Sequence, residues 1–110
     1  MANKFVNAGD TNISTTGDVI YTCDTATGTQ CLVHALYLSN IDGTNSVNVT
    51  VEVTYDGGTT YVPVAKTVPV PADSTLILDK PLNLEAGDKI KVTASVAGDL
   101  AAFASILEIT

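Results

Sequence analysis

Hydrophobic and polar residues alternate with a period of two along much of this chain. Val47, Val49, Val51, Val53 and Tyr55 share one parity, and Asn48, Thr50, Glu52 and Thr54 share the other. This pattern predicts a half-buried β-strand with one face on a core and one in water. Ile90, Val92, Ala94 and Val96 repeat it against Lys89, Lys91, Thr93 and Ser95. No ten-residue segment carries a helical stripe. The alanine-rich Leu100–Leu107 has helical propensity, but its place just after Gly98-Asp99 predicts the return strand of a hairpin. Turn residues recur at Asp42-Gly43, Asp56-Gly57-Gly58, Ala72-Asp73, Ala86-Gly87-Asp88 and Gly98-Asp99. Each supplies positive φ or a local side-chain turn. The expected fold is all-β, a single-domain antiparallel β-sandwich of jelly-roll type. Its strands are expected at roughly 3–6, 17–23, 30–39, 46–55, 60–70, 74–79, 88–97 and 100–109.

Two of these strands break the half-buried rule. In Cys31–Ser39 one parity holds Cys31, Val33, Ala35 and Tyr37, and the other Leu32, His34, Leu36 and Leu38. In Leu100–Ile109 one parity holds Phe103, Leu107 and Ile109, and the other Leu100, Ala102, Ala104 and Ile106. A strand apolar on both faces must be covered on both. One cover is the domain's own core, and the other is a loop, the N-terminal arm or another subunit. Leu32, His34, Leu36, Leu38, Leu100, Ala102, Ala104 and Ile106 are therefore the candidate self-association residues.

Pro63, Pro69 and Pro71 share a parity, so one side of an extended path through them lacks N–H donors. Tyr61–Pro71 is expected to be an edge strand or an extended crossover, protected from unwanted pairing by its prolines. Residues 1–17 are rich in Asn, Thr, Gly and Ser. They read as an N-terminal arm or edge strand ahead of a sandwich domain spanning 18–110. In the arm reading, Phe5 and Val6 dock on a neighbouring protein.

With 110 residues, one domain with one core is the expectation. The chain has no arginine and a net charge of −7. Nucleic acids and anionic membranes attract clustered Lys or Arg, and the five lysines are scattered, so neither is an expected partner. No stretch approaches the ~18 apolar residues of a membrane span. Met1 is followed by no apolar h-region, so the chain is expected to act where it is made or to be assembled from there.

Cys23 and Cys31 flank DTATGTQ, which reads as a hairpin loop. Two readings stand: a disulfide across the hairpin, or two small, partly buried thiols. Two Cys and one His do not supply a zinc site. His34 sits in an apolar strand with no GxSxG turn elsewhere to pair with it, which reads as structural. Nearly all the aspartates fall in turns and make local hydrogen bonds; calcium at Asp56, Asp73 or Asp88 stays an open reading, with no calcium-loop spacing to support it. Asn12-Ile13-Ser14 and Asn48-Val49-Thr50 match the glycosylation sequon, a triplet that chance supplies in a chain this rich in Asn and Thr. No cofactor and no catalytic activity are expected.

A resemblance covers about two-thirds of the chain. ALYLSN (Ala35–Asn40), VTVEVTYDGG (Val49–Gly58), AKTVPVPADSTLILDKPLNLEAGDKIKVTAS (Ala65–Ser95) and ASILEI (Ala104–Ile109) resemble small accessory virion proteins of tailed bacteriophages. The resemblance implies a non-enzymatic structural protein without cofactor, synthesised in the host bacterial cytoplasm and located in the virion. The implied role is capsid decoration or cementing of the phage head, bound to the major capsid protein or another virion protein as a homo-oligomer. A trimer is the order that lattice symmetry suggests. The alternative is a tail- or fibre-associated protein contacting another tail component or a host glycan. Tyr55 and Tyr61, flanking Asp56-Gly57-Gly58, are the aromatics for a glycan contact.

Overall fold

The computed structural model describes residues 3–110, which form nine strands and no helix. They are β1 (Asn3–Asp10), β2 (Asp18–Thr22), β3 (Gln30–Asn40), β4 (Val47–Thr54), β5 (Tyr61–Val70), β6 (Thr75–Leu78), β7 (Leu82–Glu85), β8 (Lys89–Ala94) and β9 (Leu100–Ile109). One sheet has the order β1-β9-β3-β6, with β7 also paired to β3; the other runs β2-β8-β4-β5. All pairings are antiparallel. Counted as one broken strand, β6 and β7 complete eight strands in two four-stranded layers. That is the jelly-roll order, the fold expected from the turn spacing.

The core lies between the layers. From the second sheet it takes Val47, Val49, Val51, Ile90, Val92 and Ala94, as the period-two pattern requires. From the first it takes Cys31, Val33, Leu36, Leu38, Leu100, Ala102, Ala104 and Ile106. Ile13, in the connection from β1 to β2, is fully buried and its amide bonds to the Leu100 carbonyl at 2.9 Å. The buried Asn40 amide donates to the carbonyls of Asn45 and Val70, each at 2.9 Å, so this polar group closes the core without an orphan.

A bulge decides which side of β3 faces inward. Val33 pairs with Ile106 and Ala35 with Ser105, so His34 is the extra residue. One inserted residue inverts every later side chain. The inward set is therefore Cys31, Val33, Leu36, Leu38 and Asn40, and Leu32, Ala35, Tyr37 and Ser39 face out. β4 keeps its alternation: it pairs with β8 without a shift through Val53, which packs against the core, and the extra residues of the β4–β5 pairing lie in β5. Tyr55, placed with the valines by parity, lies past the end of β4 and is 64% exposed.

β5 is the outer strand of its sheet, as its prolines predict. Pro63 lies opposite Glu52 and Pro69 opposite Asn48, with two register shifts between them and Thr67 at φ 52°. β7 is an addition to the expected strands; its four residues fall in the gap between those expected at 74–79 and 88–97.

Candidate interaction face

Cross-strand partners in an antiparallel sheet point to the same side. The registers of the first sheet therefore place Gly9, Phe103, Tyr37 and Ile77 in one outward row. Phe5, Leu107, Leu32 and Asn83 form another. Between them lie Asn7, Ser105 and Ala35, with the bulged His34 beside them. Phe5 is 79% exposed, Ile77 51%, Phe103 45% and Tyr37 37%. The rings of Phe5 and His34 lie 6.1 Å apart, and those of Tyr37 and Phe103 6.4 Å apart, both tilted. A shallow depression of about 250 Å³ opens among Phe5, Asn7, His34, Phe103 and Ser105.

Across β1, β9 and β3 this outward face carries no Asp, Glu, Lys or Arg. In a chain of net charge −7, that is the uncommon surface. The opposite layer presents the ordinary one. There Lys91 Nζ sits 3.8 Å from Glu52 Oε1 and 4.3 Å over the Tyr61 ring, and Thr67 N donates to Thr50 Oγ1 at 3.1 Å. Lys89, Lys91, Thr93, Asn48 and Thr50 are side chains that water satisfies. One sheet face built for solvent and one without charge is the asymmetry of a domain that covers one side.

The sequence-predicted residues divide along this line. Leu36, Leu38, Leu100, Ala102, Ala104 and Ile106 are buried in the domain's own core, so they are not a contact face for a second subunit. The bulge explains the correction for β3. In β9 the parity that sequence left for the core, with Phe103, Leu107 and Ile109, is the one that faces out. Leu32 and His34 stay on the outward side. Phe5 is on the face, whereas Val6 points inward and packs against the core. Tyr37 and Ile77 were missed. The signal for them is the shared absence of charge on one parity of neighbouring strands, legible only once the bulge is located.

The frame behind the face is tied at several points. Cys23 and Cys31 form a disulfide with Cα atoms 6.0 Å apart, joining the end of β2 in one layer to β3 in the other. Tyr21 also crosses between layers: its hydroxyl lies 3.1 Å from Cys31 Sγ and donates to Glu108 Oε2 at 3.4 Å. Burial, with the nearby Glu108 charge, pushes the Tyr21 phenol above its usual range. Loops are braced by their own aspartates. Asp56 Oδ1 accepts from the amides of Thr59 and Thr60 at 3.0 and 2.8 Å, and Asp42 Oδ1 from Thr44 at 2.8 Å. Among the described residues no group of three His, Cys, Asp or Glu side chains is placed to hold a metal ion.

No protein-family model matches the chain, and no curated protein matches it. Solved structures do. A chain of the acidic stable capsid structure of Helicobacter pylori bacteriophage KHP30 superposes with a TM-score of 0.56 at 10% identity, covering 100% of this chain and 89% of that one. A chain of infectious bursal disease virus, Gx strain, gives 0.48 at 8% identity, covering 97% of this chain and 29% of that one. A pentameric capsid protein isolated from metagenomic phage sequences gives 0.40 at 18% identity, covering 92% and 59%. The first of these likenesses shows a shared fold across the whole length of the chain.

Proposed function

We propose that the protein is an accessory structural component of a phage virion, a decoration or cement subunit that binds the assembled head. The observation that carries this reading is the uncharged, aromatic-bearing outer face of the first sheet, set on a rigid disulfide-tied frame. The fold it shares with a chain of a phage capsid structure, and the resemblance of its sequence to tailed-phage virion proteins, support the same reading. The chemistry suits the role. A shell stabiliser needs contact area, stiffness and few reactive groups, and its partner is the major capsid protein or another virion protein.

The mechanism is linkage. A subunit that binds the assembled shell and not free coat protein stabilises the shell by mass action. Many such contacts per particle add through effective concentration. In this reading the face around Phe5, Leu32, Tyr37, Phe103 and Leu107 meets the shell, and the charged sheet faces solvent. The tail-associated alternative has less to rest on, because the Tyr61 ring is already covered by Lys91, which leaves Tyr55 as the exposed loop aromatic.

The test is co-sedimentation of the purified protein with particles of the encoding phage that have been stripped of accessory proteins. Saturable binding to heads, with a raised temperature of genome release, is the expected result. Binding confined to tails, or none at all, overturns it.

A further inference from the structure

The four sheet edges of this jelly roll are not defended alike. β5 is guarded by Pro63, Pro69 and two register shifts. β2 has five residues and a shift between Val19 and Tyr21. β6 and β7 have four residues each. Prolines, bulges and shortness are three of the devices by which proteins keep edges from pairing, and inward-pointing charges are another. β1 has none of the first three, and its two charges, Lys4 and Asp10, are of opposite sign. It runs eight residues without proline, and it pairs with β9 from Asn3–Ile109 to Asp10–Ala102 without a shift. Its other side pairs with no strand among the described residues.

The sequence of β1 is complementary to itself. In an antiparallel pair centred on Asn7, Lys4 of each copy faces Asp10 of the other, Phe5 faces Gly9, and Val6 faces Ala8. Facing residues point to the same side of the sheet. Two opposite-charge pairs thus form on one side, and on the other two phenylalanines each lie over a glycine, a pairing in which the ring covers exposed backbone. Both ends have cause to seek a partner. Lys4, 69% exposed, reaches its own Glu108 only at 4.0 Å. Asp10 accepts the Asn12 amide at 2.9 Å. Among the described residues no lysine forms an ion pair with its carboxylate.

We propose that β1 is a self-pairing edge, through which two copies of the chain join antiparallel about a two-fold axis at Asn7 and extend the first sheet across both. The axis stands perpendicular to the sheet, so the two uncharged faces lie side by side on one surface. The unit is then a dimer in place of the trimer suggested by lattice symmetry. This inference stands apart from the virion reading: dimers that ignore phage heads would sink that reading alone, and monomers that bind heads would sink this one alone.

The experiment is sedimentation equilibrium of the purified chain, with charge reversal at the facing positions. An edge of this length gives a small interface, with a dissociation constant on the order of 10 µM. Lys4→Asp turns both attractive pairs repulsive and is expected to weaken the dimer about tenfold or more. Lys4→Asp combined with Asp10→Lys restores the pairs in reverse and is expected to recover the dimer. Asp10→Asn keeps an acceptor for the Asn12 amide and is expected to weaken pairing less than Lys4→Asp does. Hydrogen exchange supplies the second reading. In the dimer all β1 amides are protected, whereas in a monomer only the alternate ones bonded to β9 are. A monomer at ~100 µM, a dimer indifferent to Lys4→Asp, or a double variant no better than the single one overturns the proposal. So does a strand of another protein found seated along β1 in an imaged particle.

Discussion

The carboxylate of Asp88 accepts the backbone amide of Gly57 at 2.8 Å while almost wholly buried. The same side chain accepts the Glu85 amide at 2.9 Å and the Thr54 hydroxyl at 3.5 Å. It thereby joins the β7–β8 turn to the loop between β4 and β5, at the end of the sandwich away from Asn40. Gly57 and Gly58 adopt φ of 80° and 105°, which lets the loop fold back on this carboxylate. Asp88→Ala leaves buried amide donors without acceptors and is expected to cost about 3 kcal/mol. Asp88→Asn recovers less than half, because its amide nitrogen turns a donor toward one of those N–H groups. Urea denaturation of the three proteins measures both differences.

The disulfide makes a second, separable contribution. Cys23 and Cys31 lie eight positions apart and connect the two layers. Closing a loop of that size restricts the unfolded chain by about 2–3 kcal/mol. Replacing both cysteines with serine is expected to lower the melting temperature. A reductant should lower that of the parent protein by a similar amount and leave the variant unchanged. A parent protein equally stable with and without reductant would show that the bond contributes nothing.

Acid should weaken the fold through its loops. Hydrogen bonds from the Ser14 hydroxyl and amide hold Asp18 below its usual carboxylate value of 3.8. The Thr60 amide does the same for Asp56, and the Thr44 amide for Asp42. A depressed folded pKa means stability that is present above 3.8 and lost as pH falls through the folded value. Asp99 runs the other way: partial desolvation, then the charge of Asp42, raise it, so its ionised form opposes folding. Asp99→Asn is expected to raise the melting temperature at pH 7 and to lose that advantage as the solution becomes acidic. Melting curves taken from pH 7 to pH 3 test both signs, and a flat profile for the parent chain would contradict the first.

Much of the frame is legible in the residues, and the exceptions share one cause. The valines of β4, the alternation of β8 and the prolines of β5 each act through their own neighbours, so periodicity reveals them. β1 is polar and still forms a full strand, because its stability comes from backbone pairing along β9, which its own pattern does not record. β7 is held by β3 in the same way. The His34 bulge is the costliest miss. CLVHALYLSN reads as apolar on both faces because a single inserted residue moves the buried set from Cys31 and Val33 to Leu36 and Leu38. No local propensity marks that step. It follows from matching eleven residues of β3 against ten of β9.

The same bulge separates two substitutions that a flat reading of β3 and β9 would confuse. Leu36 is fully buried among residues of both layers, so Leu36→Ala leaves a cavity and is expected to cost about 2–5 kcal/mol. As long as that variant remains folded, its affinity for phage heads should be unchanged. Phe103 is 45% exposed beside Tyr37 on the outer face. Phe103→Glu removes no core contact and is expected to shift stability by less than about 1 kcal/mol. It places a charge in the middle of an uncharged surface, where a partner's cover would bury it unpaired. Head binding should fall at least about tenfold, a change typical of a central contact residue. Titrating stripped particles with each variant, beside denaturation of the free proteins, distinguishes the two cases. Undiminished binding by Phe103→Glu would move the shell contact away from this face and leave the loop tips as the remaining surface to probe.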